Sequence, residues 1–296
     1  MSGLKDRAIY YLQQLVRHGM SIADERLTYV ESRQQAILSE MAETRAAIRV
    51  SMPDNPVLNG FKVYSQVDED GIIQDLLRRI PNDIRNHTAI EIGCGDGREN
   101  NSHFLLLNGF RAVWIDGNTR NIEFIQKSLG MMEGVLGRLK ALSCFVNVEN
   151  AREVIEDSCG YLGNSEPDLF SLDIDGNDLH FLLKALNSFR PKILCVEYNA
   201  KFPPPMCISI RYDPGNSWVG DDYHGASLQE FCNALRDYTL VSCNLSGSNA
   251  FFIRNDIIHR YTVYPVAALY RPLRTEFRLL ASGHPPSLKW LRDVLH

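Results

Sequence analysis

The sequence predicts an α/β protein built on a seven-stranded, Rossmann-like sheet with helices on both faces. From about residue 61 to residue 254, short apolar runs rich in β-branched residues alternate with helix-like stretches. This alternation is the pattern of βαβ units, which assemble into a mostly parallel sheet. The predicted strands are residues 88–92, 112–115, 142–146, 169–172, 193–196, 239–243 and 250–253. Helix-like stretches lie between most of them, as at residues 71–80, 101–108 and 179–186.

The last two predicted strands are expected to pair with each other at the end of the sheet. Only residues 244–249 separate them, and six residues are too few for a crossover helix. A short connection of this kind joins antiparallel strands. We therefore expect a terminal antiparallel hairpin beside an otherwise parallel sheet.

Composition and charge exclude several classes of protein. With 45% hydrophobic and 23% charged residues, the chain of 296 residues has the composition of a soluble globular protein. Its 31 basic and 36 acidic side chains give a net charge of −5, which disfavours a duplex nucleic acid as partner. No apolar run approaches the roughly 18–20 residues of a membrane span, and no signal peptide is visible. Seven cysteines without a C-x-x-C pair fit reduced thiols, so a cytoplasmic location is predicted.

Residues 1–50 are predicted to be helical, since they contain no proline and a single glycine. A seam with alternating spacings of three and four follows from residue 20, and most of its positions are apolar. This pattern suits a coiled coil that makes a homo-oligomer, a packed helical hairpin, or a helix docked on its own domain. The seam residues are Met20, Ala23, Leu27, Val30, Gln34, Ile37, Met41, Thr44 and Ile48.

Three regions are predicted along the chain. Residues 1–58 form the helical region and a linker, and two prolines, Pro53 and Pro56, end the helix. Residues 59–256 form the α/β domain. Residues 257–296 form a C-terminal extension whose mixed, proline-punctuated sequence indicates no particular structure.

A glycine-rich turn follows the first predicted strand. Glu91 and the three glycines Gly93, Gly95 and Gly97 place flexible backbone and N–H donors where a ligand can approach. A dinucleotide fingerprint would need a glycine at position 98, which is Arg98. The spacing instead resembles motif I of class I S-adenosylmethionine-dependent methyltransferases.

Two further positions fit a nucleoside. Asp116 ends the second predicted strand, where a carboxylate can accept hydrogen bonds from both ribose hydroxyls. Asn147 follows the third predicted strand, where the resemblance implies a residue against adenine, although an acid is more common there. The alternative for Asp116 is a solvated turn residue, because Asp-Gly is itself a turn signal.

Oxygen-bearing side chains end the fourth and fifth predicted strands. Asp173 and Asp175 follow one strand, and Glu197 and Asn199 follow the next. Carboxylates that lie close together repel, so they need a cation or a shared proton. Oxygen ligands without Cys or His suit Mg²⁺, Mn²⁺ or Ca²⁺. We favour Mg²⁺ or Mn²⁺ on Asp173, Glu197 and Asn199, with Asp175 outside the ligand set; the alternative is that some of these residues cap helices or bind the cofactor.

An ordered set of motifs over roughly residues 61–254 resembles the FkbM-type branch of class I methyltransferases. The set comprises residues 64–72, the Glu91 turn, residues 172–178, residues 197–199 followed by three prolines, and residues 248–252. The resemblance implies an S-adenosylmethionine-dependent O-methyltransferase that acts on sugars or glycosylated products. It adds Gln66 and Asp173 to the candidate cofactor contacts.

Two histidines are candidate bases for the acceptor hydroxyl. His224 lies in a loop that should cover the edge of the fifth strand, and His180 lies one turn into the helix after Asp173. A structural role is the alternative for both. Asp173 is the third candidate catalytic residue, through the metal.

Two functions of other classes compete with methyl transfer. One is a non-catalytic scaffold that assembles through its N-terminal helices, against which the intact glycines and Asp116 argue. The other is a nicotinamide-dependent oxidoreductase, for which Arg98 and the terminal hairpin are unfavourable. The chain contains no G-x-S-x-G, H-E-x-x-H or Walker A pattern, so hydrolase, zinc protease and P-loop functions have no support.

Overall fold

The computed structural model describes residues 2–130, 135 and 137–278. The chain divides into two units, Met1–Ala46 and Ala47–His296. Helix α1 (Ser2–Ser51) is continuous, so the alternative of a packed helical hairpin within residues 1–50 is wrong. Part of the predicted C-terminal extension, residues 279–296, lies outside the described residues.

Within the described residues, seven strands form one sheet in the order β3-β2-β1-β4-β5-β7-β6. β1 to β5 pair in parallel, whereas β7 is antiparallel to both β5 and β6. The predicted seven-stranded, Rossmann-like sheet with a terminal antiparallel hairpin is therefore confirmed. The strands are β1 (Thr88–Ile92), β2 (Arg111–Asp116), β3 (Leu139–Ser143), β4 (Leu169–Leu172), β5 (Ile193–Glu197), β6 (Tyr238–Cys243) and β7 (Asn249–Arg254).

Helices connect the strands, and no helix in the described part of the chain is both long and apolar enough to cross a membrane. After α1, the helices are α2 (Glu69–Arg78), α3 (His103–Leu107), α4 (Thr119–Ser128), α5 (Ala151–Leu162), α6 (Asp178–Ala185), α7 (Leu228–Ala234) and α8 (Val266–Leu269). Short 3₁₀ turns cover Pro56–Asn59, Asn82–Ile84, Asn255–Arg260 and Thr275–Arg278.

The centre of the sheet is buried on both faces, which explains its apolar sequence. β1 pairs with β2 on one side and with β4 on the other, and all five of its residues are buried. Trp114 of β2 is fully buried, and so are Ile72 and Leu76 of α2. Central parallel strands covered on both faces read as nearly continuous hydrophobic runs, as these do.

The strand order reverses direction between β1 and β4. The chain proceeds from β1 to β2 and β3 on one side, and it then returns to place β4 and β5 on the other. The loops after β1 and β4 therefore diverge and leave a crevice at the carboxyl ends of the strands, where open α/β sheets bind their ligands.

The third strand differs from its prediction. β3 spans Leu139–Ser143, three residues before the predicted 142–146, and its residues are half-buried or exposed. β3 is an edge strand that pairs only with β2, so its sequence lacks the strong apolar signal of the central strands. Phe145 and Val146, which suggested the strand, are apolar because they line the cavity described below.

A buried polar network joins α2 to the β6–β7 hairpin. The Glu69 carboxylate accepts hydrogen bonds from the side-chain amides of Asn244 and Asn249, and all three residues are buried. The Asn244 amide also donates to the hydroxyls of Ser246 and Ser248. The motifs at residues 64–72 and 248–252 thus meet in a network that fixes the end of the sheet.

Candidate functional site

A cavity of about 320 Å³ lies at the carboxyl ends of β1, β2 and β4, beside the crevice where the strand order reverses. Residues 116–118 and 144–146, which follow β2 and β3, form one side, and residues 173–175 after β4 form another. Residues 216–218, from the long loop before α7, also line it. The predicted glycine turn, ribose acid and acidic strand end therefore share one cavity.

Gly93 permits the close approach of the β1 turn to the end of β4. It has a φ of +84°, and a Cβ atom there would stand 1.6 Å from the backbone oxygen of Asp173. Gly95 and Gly97 also have positive φ, but a Cβ on Gly95 would meet nothing within 4 Å. A Cβ on Gly97 would stand 3.0 Å from the buried Trp114 ring. Of the three glycines, Gly93 lines the cavity.

Asp116 connects the glycine turn with the start of α4. Its Oδ2 accepts from the backbone N–H of Gly95 at 2.9 Å, and its Oδ1 accepts from Asn118 N at 2.7 Å and Asn121 Nδ2 at 3.1 Å. An ionised carboxylate offers about four acceptor positions, so a position on Oδ2 is available to a ribose hydroxyl. Asp116 is half-buried and lines the cavity.

Glu91 supports the turn from beneath and is not among the residues lining the cavity. It is 4% exposed, and its carboxylate accepts from the backbone N–H groups of Asn101 and Ser102 and from the Ser102 hydroxyl. That hydroxyl in turn accepts from Trp114 Nε1 at 2.7 Å. Burial raises the pKa of Glu91 from 4.5 to about 7, against the opposing effect of these hydrogen bonds.

This raised pKa predicts a pH dependence of stability. Between about pH 4.5 and 7 the unfolded Glu91 ionises while the folded carboxyl keeps its proton, so the free energy of unfolding should fall as pH rises. The shift corresponds to about 3 kcal/mol. Glu91→Gln should lose this part of the pH dependence, which urea unfolding at several pH values measures. Parallel curves for the two proteins would exclude a titrating Glu91.

Two predicted cofactor contacts, Asn147 and Gln66, are not among the residues that line the cavity. The Asn147 side chain accepts from Asn150 N at 2.9 Å, and Asn150 returns the bond, so the pair shapes the turn before α5. Asn147 was predicted to follow the third strand directly. Three residues separate them, because β3 ends at Ser143. Gln66 precedes α2, and its backbone oxygen accepts from Lys62 Nζ. Neither side chain is among those lining the cavity, where Phe145 and Val146 are found instead.

Three carboxylates meet beside the cavity. Asp173, Asp175 and Glu197 can each offer an oxygen such that all three atoms lie within 4.8 Å of one another. Asp175 has a φ of +56°, in the left-handed region that non-glycine residues rarely adopt. The loop is held by Asp178, whose carboxylate accepts from Ile174 N and Gly176 N at 2.8 Å each. Burial raises the pKa of Asp178 to about 6.

Asn199 holds the loop that carries His224. Its amide donates to the backbone oxygens of Asp222 and His224 at 2.9 and 3.0 Å, and its side-chain oxygen accepts from Lys201 N at 3.1 Å. The side chain is thus engaged with three backbone groups. Asp175, which the sequence prediction left outside the ligand set, lies with Asp173 and Glu197 in the acidic cluster.

The two candidate bases have different surroundings. His224 is nearly buried, and its Nδ1 lies 3.7 Å from Glu197 Oε2, beside the acidic cluster. His180 places Nε2 2.8 Å from the backbone oxygen of Ile210, and its ring packs edge-on against Tyr212. His224 is therefore the histidine that the structure brings to the acidic strand ends.

Sequence reasoning missed the residues that close the cavity from the loops. Phe145, Asn216 and Trp218 all line it, and Phe145 packs over Gly117. Trp218 donates from Nε1 to the backbone oxygen of Asp221 and remains 38% exposed. A tryptophan among polar residues and glycines was the available signal in the sequence.

Neither a family model nor a curated protein matches this sequence. Among solved structures, an O-methyltransferase from Bacillus cereus in complex with SAH is 14% identical with a TM-score of 0.38, over 74% of this chain and 89% of that chain.

The CurJ carbon methyltransferase is 12% identical with a TM-score of 0.40, over 62% of this chain and 52% of that chain, about half its length. A short-chain dehydrogenase/reductase from Brucella melitensis is 16% identical with a TM-score of 0.26, over 36% and 51%. Likenesses this distant carry no argument about activity.

Proposed function

We propose that this chain is an S-adenosylmethionine-dependent O-methyltransferase that acts on a hydroxyl of a sugar, a glycan or a glycosylated natural product. The observation that carries the proposal is the shared cavity. The cavity lies where the strand order reverses, and Gly93 and Asp116 line it. Two carboxylates of the acidic cluster, Asp173 and Asp175, also line it. Ligands of open α/β sheets bind at this place.

The residues lining the cavity fit the cofactor. Gly93 leaves the backbone exposed where a side chain would fill the space, and Asp116 offers a carboxylate to ribose. Phe145 and Val146 offer apolar surface of the kind that packs against adenine. S-adenosylmethionine, when bound, supplies an electrophilic methyl group on its sulfonium.

His224 is our candidate for the group that takes the proton of the acceptor hydroxyl. When its Nδ1 carries the proton and faces Glu197, its Nε2 has the lone pair that a general base needs. Asn199 would contribute by fixing the backbone of residue 224. Transfer itself then depends mainly on holding the hydroxyl oxygen in line with the methyl group.

We further propose that Asp173, Asp175 and Glu197 bind a divalent cation, Mg²⁺ or Mn²⁺. Three carboxylates at this distance repel one another unless a cation or a proton lies among them, and oxygen ligands suit these ions. Asn199 is the less suitable ligand because its side chain is engaged with backbone groups. A divalent ion would lower the pKa of a hydroxyl, and vicinal hydroxyls, as in sugars, can chelate one.

Cofactor binding provides the test of the proposed function. Asp116→Ala should lower the affinity for S-adenosylmethionine at least about tenfold, because a charge-assisted hydrogen bond to ribose is lost. Asp96→Ala is the matched control, since Asp96 belongs to the same turn but does not line the cavity. Isothermal titration of the two folded variants and the native chain measures the effect. Equal affinities in all three would refute the ribose role of Asp116.

A further inference from the structure

The middle of α1 exposes apolar side chains. Every side chain from residue 26 to residue 36 is exposed, which amounts to three helical turns. Leu27 is 59% exposed and Val30 is 56% exposed. A helix in a protein gains most of its stability in water from packing of an amphipathic face, and the exposed side chains of residues 26–36 are not packed in this way.

Three of the exposed apolar residues, Met20, Leu27 and Val30, fall on one seam of the helix. With Met20 at position a of a heptad, the later a positions are Leu27, Gln34, Met41 and Ile48, and the d positions include Val30, Ile37 and Thr44. A seam of a and d positions that repeats every seven residues is buried when a second, similar helix packs against it. The helix shows no break between these residues.

The charges beside the seam complement a second copy of the same helix. In a parallel, in-register pair, each g position faces the e position of the next heptad of the other helix. Arg26 at g then faces Glu31 of the second copy, and Glu40 at g faces Arg45 of the second copy. Symmetry makes each contact twice, so four opposite-charge pairs flank the seam.

The polar seam residues distinguish this arrangement from an antiparallel one. In a parallel pair Gln34 faces Gln34 of the second copy, so the two amides can hydrogen-bond with each other. An antiparallel pair also has one register that matches opposite charges. In that register Gln34 faces Ile37 of the second copy, so its amide has no hydrogen-bond partner there. A polar residue at position a specifies register and partner number in this way.

We infer that residues 20–44 join two copies of this chain in a parallel, in-register, two-stranded coiled coil. The inference is independent of the proposed function, because it uses none of the residues of the cavity. Of the alternatives that the sequence left open, we therefore favour the coiled coil, in which a second copy of the chain covers the exposed seam.

Sedimentation of the full chain tests the seam. The native protein should sediment with twice the 33.6 kDa mass of one chain. Leu27→Asp should produce the monomer, because it buries a charge at an a position. Tyr29→Asp is the matched control, since Tyr29 is 63% exposed but lies at position c, outside the seam. A monomeric native chain, or two variants with equal effects, would overturn the inference.

Charge exchange tests the orientation. Arg26→Glu should weaken dimerisation by about fivefold or more, because it creates two like-charge contacts with Glu31. The combination of Arg26→Glu with Glu31→Arg should restore the native value. In the antiparallel register neither residue faces a charge, so an Arg26→Glu variant that dimerises as tightly as the native chain would exclude the parallel arrangement.

Discussion

Asp173→Asn should weaken binding of Mn²⁺ to the acidic cluster and leave the affinity for S-adenosylmethionine within about threefold. The substitution keeps the shape of the side chain but removes one of three carboxylates whose oxygens lie within 4.8 Å. Metal affinity should fall at least about tenfold, since losing even an outer hydrogen-bonding partner of a ligand costs 10–100-fold. Titration with Mn²⁺ alone measures this without knowledge of the acceptor.

Asp213→Asn is the control for this experiment, because Asp213 is exposed and lies outside the acidic cluster. It should bind Mn²⁺ as the native chain does. Methyl transfer should also stop in excess chelator and resume with added Mg²⁺ or Mn²⁺. Full activity in chelator would refute the metal, and His224 beside Glu197 would then be the better explanation of hydroxyl activation.

Gly93→Ala should lower the free energy of unfolding by about 3 kcal/mol or more, the range of severe single substitutions. The new Cβ would stand 1.6 Å from the backbone oxygen of Asp173, so β1 and β4 would have to separate at the cavity. The positive φ adds about 1–2 kcal/mol for a residue with a side chain. Cofactor binding should be lost together with stability.

Gly95→Ala separates the two causes. Gly95 also has a positive φ, but a Cβ there meets nothing within 4 Å, so only the conformational cost of about 1–2 kcal/mol should remain. Urea unfolding of both variants measures the difference. Equal losses of stability would mean that the close approach of the two strand ends does not constrain residue 93.

The central strands β1 and β4 could be predicted from the sequence to the residue, whereas the edge strand β3 could not. β1 and β4 match their predicted bounds, because burial on both faces produces an unbroken apolar run between turn signals. The predicted position of β3 was three residues too late. Its half-buried residues give no stronger apolar signal than the segment that follows it. A strand pattern cannot distinguish Phe145 in a strand from Phe145 at the wall of a cavity.

The same limit applies to the site. Asp116 and Asp173 lie at the ends of predicted strands and both line the cavity, because strand order brings these strand ends together. The backbone conformations of loops are set by hydrogen bonds that no periodicity reveals. The Asn199 amide therefore proved to be engaged with the backbone, and Asp175, in a left-handed conformation, joined the acidic cluster.

Comparison of two cofactors on the native chain is the most direct measurement of whether the cavity belongs to a methyltransferase. Titration should show one molecule of S-adenosylmethionine bound per chain, and Asp116→Ala should weaken that binding. NAD⁺ should bind far more weakly, since Arg98 occupies the third glycine position of a dinucleotide fingerprint. A folded chain that binds no S-adenosylmethionine, or that prefers NAD⁺, would contradict the methyltransferase proposal.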